Sequence, residues 1–138
     1  MPIQEEFRKE AQDKLKKLGE VLRERLRESL QDIDPEDLEF GVSFELTCDQ
    51  CQELWKEAVE ENVYMEVSYT EIMEHHDGAY LKSIFKNSTD GLWAERYVNI
   101  RSSGRVEISH ALFLEEEGTL LRVERQPNGT FKVFAKSL

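Results

Sequence analysis

T-L-L-R-V-E-R-Q-P-N-G-T-F-K-V-F-A-K, residues 119–136, reads as two strands folded back on each other. Q-P-N-G parts the runs at roughly 119–126 and 130–136, and Asn128-Gly129 is a strong tight-hairpin signal, because both residue types accept the backbone conformation of a sharp reversal. The same grammar extends backwards. E-E-E-G precedes this hairpin, R-S-S-G parts runs at roughly 92–101 and 105–115, and N-S-T-D-G at 87–91 is the turn that opens the series. The C-terminal half is therefore an antiparallel meander of about four strands. Such a sheet has an apolar face that needs a cover.

The cover is supplied by the other end of the chain. From about Gln4 to Leu30, apolar residues recur every three or four positions (Phe7, Ala11, Leu15, Leu18, Leu22, Leu26, Leu30), the spacing of one face of a helix. Glu10–Lys14 and Asp13–Lys17 support it as i,i+4 pairs on the polar side. Gly19 costs this helix about 1 kcal/mol relative to alanine and marks a close contact. The helix docks on its own sheet or, alternatively, on a partner helix in a homodimer. Its polar side carries too many acids for a membrane surface.

Between these parts lies a mixed strand-helix middle. Asp34-Pro35 is a cap followed by a first-turn proline. Phe40, Val42, Phe44 and Leu46 alternate in F-G-V-S-F-E-L, the pattern of a half-buried strand. Thr47 or Asp49 then caps a helix reaching about Asn62, with Leu54, Trp55, Ala58 and Val59 turned inward. Residues 63–69 alternate again as a strand, with continued helix as the competing reading, and 70–86 read as helical pieces broken at Asp77-Gly78, with Ile72, Met73, Tyr80, Leu81, Ile84 and Phe85 apolar. The sequence thus predicts one α+β domain over 1–138, with the long N-terminal amphipathic helix in 1–31, a strand-helix-strand-helix region in 40–86 and the sheet in 92–136.

Composition narrows the function classes. The 138 residues carry a formal net charge of -11. Residues 39–78 hold -10 of it, residues 1–38 hold -3, and residues 79–138 hold +2. A field of that sign repels nucleic acid and anionic membrane and favours a basic protein partner. No apolar run approaches the ~20 residues that cross a bilayer. The start M-P-I-Q-E-E-F lacks a basic region followed by an apolar one, so a cytoplasmic location with the two cysteines as thiols is expected.

Those cysteines lie in T-C-D-Q-C-Q-E-L-W, residues 47–55, after a strand and at a helix start, where backbone N–H groups stabilise a thiolate. The following order of elements can be drawn as a thioredoxin-like layout. Against redox chemistry, Asp49 and Glu53 disfavour a thiolate, and no proline precedes the later strands to form a substrate loop, since Pro127 belongs to a hairpin. A zinc site would combine Cys48 and Cys51 with His75 and His76, but adjacent histidines diverge instead of converging on one ion. The reading favoured by these residues is two unpaired thiols, Cys51 under the helix start and Cys48 nearer the surface.

Glu74-His75-His76-Asp77 offers acid–base groups with no nucleophile tied to them. His110 shares a strand face with Val106, Ile108 and Leu112, which places it as a half-buried hydrogen-bonded group or a pocket lining. No P-loop, dinucleotide glycine pattern, H-E-x-x-H or calcium loop is present, and no cofactor is called for. Trp55, Tyr64, Tyr69, Tyr80, Trp93 and Tyr97 are aromatics with polar handles, most of them core or boundary residues and no more than two of them hot spots of a binding surface. The expected function is a non-catalytic acidic protein-binding module, an inhibitor, immunity-like factor or adaptor toward a basic protein. Asp49, Glu53, Glu57, Glu60 and Glu61 would present the charge, with Trp55 and Tyr64 as apolar contacts. The alternative is a small thiol-based enzyme or thiol–disulfide oxidoreductase using Cys48 and Cys51.

Overall fold

The computed structural model describes residues 2–61, 69–75, 78–86 and 91–138. The hairpin that organises the sheet is a three-residue loop, not a two-residue one. The Gln126 N–H donates to Thr130 O, the Gly129 N–H donates to Gln126 O, and Gly129 alone takes a positive φ of 87°. This is a type I turn closed by a glycine bulge, for which Pro127 supplies the fixed φ of the first corner. Asn128 Oδ1 accepts from the Thr130 N–H at 3.1 Å and from its hydroxyl at 2.6 Å, locking the loop. R-S-S-G repeats the construction, with the Arg101 N–H donating to Arg105 O and Gly104 at φ 88°. In E-E-E-G both Glu117 and Gly118 have positive φ, the requirement of a two-residue primed turn.

These turns join β4 (Leu92–Arg101), β5 (Val106–Glu116), β6 (Thr119–Arg125) and β7 (Phe131–Ser137) into the expected meander. The meander is part of a larger open antiparallel sheet. On one side β1 (Val42–Leu46) pairs with β7; on the other, β3 (Gly78–Lys86) pairs with β4 and β2 (Tyr69–His75) pairs with β3. The order is β1-β7-β6-β5-β4-β3-β2. β2 and β3 correct the helical reading of 70–86. Apolar residues there recur four apart, at Tyr80/Leu81 and Ile84/Phe85, which imitates a helix. Their β-branched and aromatic content, and the free edge of β4, favour pairing instead. The reading of 63–69 as strand or helix falls, for 63–68, outside the described residues.

Phe40 also departs from expectation. It ends a short helix, α2 (Pro35–Phe40), opened by Asp34, whose side chain accepts from the Glu36 N–H, and it is 86% exposed. The strand alternation begins only at Val42, after Gly41 turns the chain at φ 91°.

The long helix α1 (Pro2–Leu30) lies on one sheet face, with Leu15, Leu18, Leu22 and Leu26 at 0–3% exposure. They join Leu92, Leu112, Leu114, Leu121, Val123, Phe131 and Val133 in one core, so this stripe docks within its own chain and these leucines are not left for a partner helix. Gly19 is the predicted close contact: a Cβ there would sit 3.0 Å from Leu92 Cδ2. Among the described residues, no helix is long and apolar enough to cross a membrane. The opposite sheet face carries Trp93 stacked on Phe113 at 5.2 Å, the Arg122 guanidinium over Phe113 and Tyr97, and Glu95, buried and accepting from the Tyr97 hydroxyl.

Candidate functional site

The second helix on the covered face, α3 (Asp49–Trp55), begins where β1 ends and runs into a wider π-helical turn, Lys56–Glu60. Its N-cap is neither Thr47 nor Asp49 but Cys48, in extended conformation and with no side-chain cap hydrogen bond. Cys51 stands at the third helical position, and its N–H donates to Cys48 O at 3.2 Å. A serine or aspartate at an N-cap would bond to that same third residue through its side chain. Here the link is covalent. Cys48 and Cys51 form a disulfide with Cα atoms 5.2 Å apart, inside the range that two cysteines bridge without backbone movement.

The bond is enclosed. Cys48 is 2% exposed and Cys51 0%, and both belong to the core cluster, so the expected difference between a surface Cys48 and a packed Cys51 survives only as a matter of depth. Three contacts fix the helix that carries them. The Gln52 side-chain amide donates to Gly129 O at 2.8 Å, tying the first turns to the β6–β7 loop. Trp55, one turn beyond Cys51, meets Phe131 edge to face at 5.6 Å. At the far end of the π-turn, Glu60 accepts from Arg125 at 3.1 Å. The hairpin that organises the sheet thus also positions the cysteine helix.

Beyond Trp55 lies a cleft of about 350 Å³ lined by Trp55, Glu60, Ile108, His110, Glu124 and Arg125, among others. His110 lines it, as one of the two sequence readings had it. Its Nε2 is buried without a hydrogen-bond partner. Burial holds its pKa below the ordinary 6.5; the Glu60 carboxylate opposes that shift and the Arg96 guanidinium adds to it.

Comparison with protein-family models, curated proteins and solved structures finds no match. The site is therefore read from its own geometry.

That geometry corrects several expectations. The cysteines are not free thiols, because all the cysteine of the chain is in the one disulfide. With it falls the purely non-catalytic acidic binding module, since the chain holds a closed C-x-x-C pair, the group that the thiol-based alternative requires. The zinc reading loses its sulfur ligands to that bond. Among the described residues no group of His, Cys, Asp and Glu could hold a metal, while His76, the His75 side chain and Asp77 lie outside them. The thioredoxin-like layout does not hold either, because every strand pairing among the described residues is antiparallel.

The residues of the expected acidic face differ in exposure. Asp49, Glu53 and Glu61 are exposed, Glu57 is half-buried, and Glu60 turns away to Arg125. Trp55 is 1% exposed and presents no open surface. Tyr64 lies outside the described residues, as do the side chains of Tyr69 and Tyr80. Sequence reasoning missed Gln52, Arg125 and the Gly129 carbonyl, because each acts across a pairing that only the fold creates.

Proposed function

We propose that the protein is a thiol–disulfide protein whose working group is the Cys48–Cys51 pair. The single observation behind this reading is the closed C-x-x-C disulfide at the junction of β1 and α3. Its loop size supports a chemical role over a purely structural one. Closing residues 48–51 removes only about 2 kcal/mol of chain entropy from the unfolded state, against about 3 for a loop of fifteen and nearly 5 for one of a hundred. So local a staple constrains the unfolded chain less than a bridge between distant segments would.

The reaction is a two-electron exchange with an external dithiol. An incoming thiolate attacks Cys48 Sγ, a mixed disulfide forms, the Cys48–Cys51 bond breaks, and Cys51 leaves as thiolate and takes up a proton. The partner's second thiol then displaces Cys48, so the partner ends as a disulfide and both cysteines as thiols. Cys48 is assigned the outer role because it stands at the helix boundary, whereas Cys51 lies under it. Both sulfurs being enclosed, attack requires the first turn of α3 to open. The pair is thus gated by local unfolding, an event that costs less than global unfolding.

Trapping tests this assignment. Cys51→Ser leaves Cys48 to form a stoichiometric mixed disulfide with glutathione disulfide, seen by intact mass and reversed by dithiothreitol. Cys48→Ser, with only the deeper Cys51, should form it at least tenfold more slowly. Equal rates for the two variants would contradict the assignment of roles. No adduct on either without denaturant would contradict the function.

A further inference from the structure

We propose that the oxidation state of Cys48–Cys51 is relayed along α3 and its π-turn to the cleft around His110, so that reduction of the pair opens that cleft. The inference rests on the thiol–disulfide reading and adds a conformational consequence to it. Its first support is the cap. α3 is a helix of seven residues followed by a five-residue π-turn, and its N-cap side chain makes no cap hydrogen bond. The disulfide takes the place of that hydrogen bond, joining the N-cap residue to the third helical residue. A thiol is a poor acceptor, so reduction leaves the first turn without an effective cap, and so short a helix has little intrinsic stability to spare.

The second support is the chain of contacts downstream. Gln52 on Gly129, Trp55 on Phe131 and Glu60 on Arg125 succeed one another along the same element, from the disulfide to the cleft. Trp55 and Glu60 are themselves cleft walls. A shift of α3 therefore moves two of the surfaces that surround His110. The third support is the imidazole, whose Nε2 is enclosed without a partner and so reports on any admission of water. π-helical turns also tend to occur at functional sites, as wide and weakly held helical segments.

The charged groups around His110 come from each neighbouring element: Glu60 of the π-turn and Arg96 of β4 act on its charge, and Glu124 and Arg125 of β6 line the same cleft. Because burial is the largest influence on its titration, hydration of the cleft raises its pKa toward the ordinary 6.5.

The experiment is NMR titration of His110 in the full chain, oxidised and reduced by a phosphine, with the state of the cysteines read by alkylation. The expected result is an upward move of the His110 midpoint on reduction and a red shift of Trp emission at retained secondary structure. In Trp55→Phe, which leaves Trp93 as the sole tryptophan, that red shift should vanish. Cys48→Ala/Cys51→Ala, which leaves no capping side chain at the helix start, should show the reduced behaviour and ignore the phosphine. If that variant does not fold, the phosphine titration of the native protein decides alone. Full reduction with an unmoved His110 midpoint and unmoved emission overturns the relay while leaving the thiol–disulfide function standing. A pair that the phosphine cannot reduce in the folded protein overturns both.

Discussion

Gly129 occupies the point where the sheet's hairpin meets the cysteine helix, and replacing it with alanine has two separable costs. The first is conformational: its φ is 87°, and an L-residue forced into the left-handed region loses about 1–2 kcal/mol. The second comes from α3: a Cβ at this position would lie 2.8 Å from Gln52 Nε2, the atom that donates to Gly129 O. That amide ends a flexible side chain and can swing away, so the clash itself is relieved cheaply. The swing gives up one hydrogen bond, a net loss of about 0.5–1.5 kcal/mol. Gly129→Ala should therefore cost about 1.5–3.5 kcal/mol, seen as a lower urea midpoint with unchanged slope in the absence of reductant. In a Gln52→Ala background only the backbone cost remains, about 1–2 kcal/mol, so the two sites couple by about 1 kcal/mol. Equal losses in both backgrounds, or a loss below about 0.5 kcal/mol, would refute the reasoning that the hairpin holds the cysteine helix through Gln52.

Other perturbations probe the core and the cleft. Leu22→Ala, at 0% exposure, should cost about 2–5 kcal/mol in urea unfolding, whereas the exposed Glu24→Ala on the same helix should stay within about 0.5. His110 has a depressed folded pKa, so the unfolded chain binds its proton first. Its contribution is complete above 6.5 and is lost as pH falls through the lower folded value. Thermal stability should thus decline over that window, and His110→Gln should remove that part of the decline. Glu60→Gln takes away the carboxylate that opposes the shift, and should move the His110 midpoint further down by NMR.

Much of this architecture is legible in the residues, and the exceptions have physical causes. The leucines of α1 announce themselves because one helix face repeats, mostly at every fourth residue, over many turns. The meander is equally open to reading, since Asn128-Gly129, Ser103-Gly104 and Glu117-Gly118 each mark a reversal. Local pattern fails where pairing is remote. β1 joins β7 at the opposite end of the chain, and residues 78–86 become a strand because β4 offers them an edge. Phe40 continues an alternation on paper, yet the Asp34-Pro35 start draws it into α2.

The candidate site divides in the same way. C-D-Q-C at a strand–helix junction is visible, and Asp49 and Glu53 count against a thiolate. The bonded state depends instead on the N-cap backbone, which brings positions 48 and 51 within bridging distance whatever the charge between them. The cleft joins Trp55 and Glu60 of the helix to His110 of β5 and Arg125 of β6. No spacing in the sequence encodes that meeting.

The most direct measurement is a redox titration of the native protein in dithiothreitol buffers of graded poise, quenched with acid, alkylated and weighed by intact mass. The account predicts one reversible two-electron transition in which both cysteines are modified together, with circular dichroism showing the sheet retained and the disulfide recovered on return to oxidant. A pair that stays oxidised at every poise until denaturant is added, or whose reduction unfolds the sheet irreversibly, would contradict it.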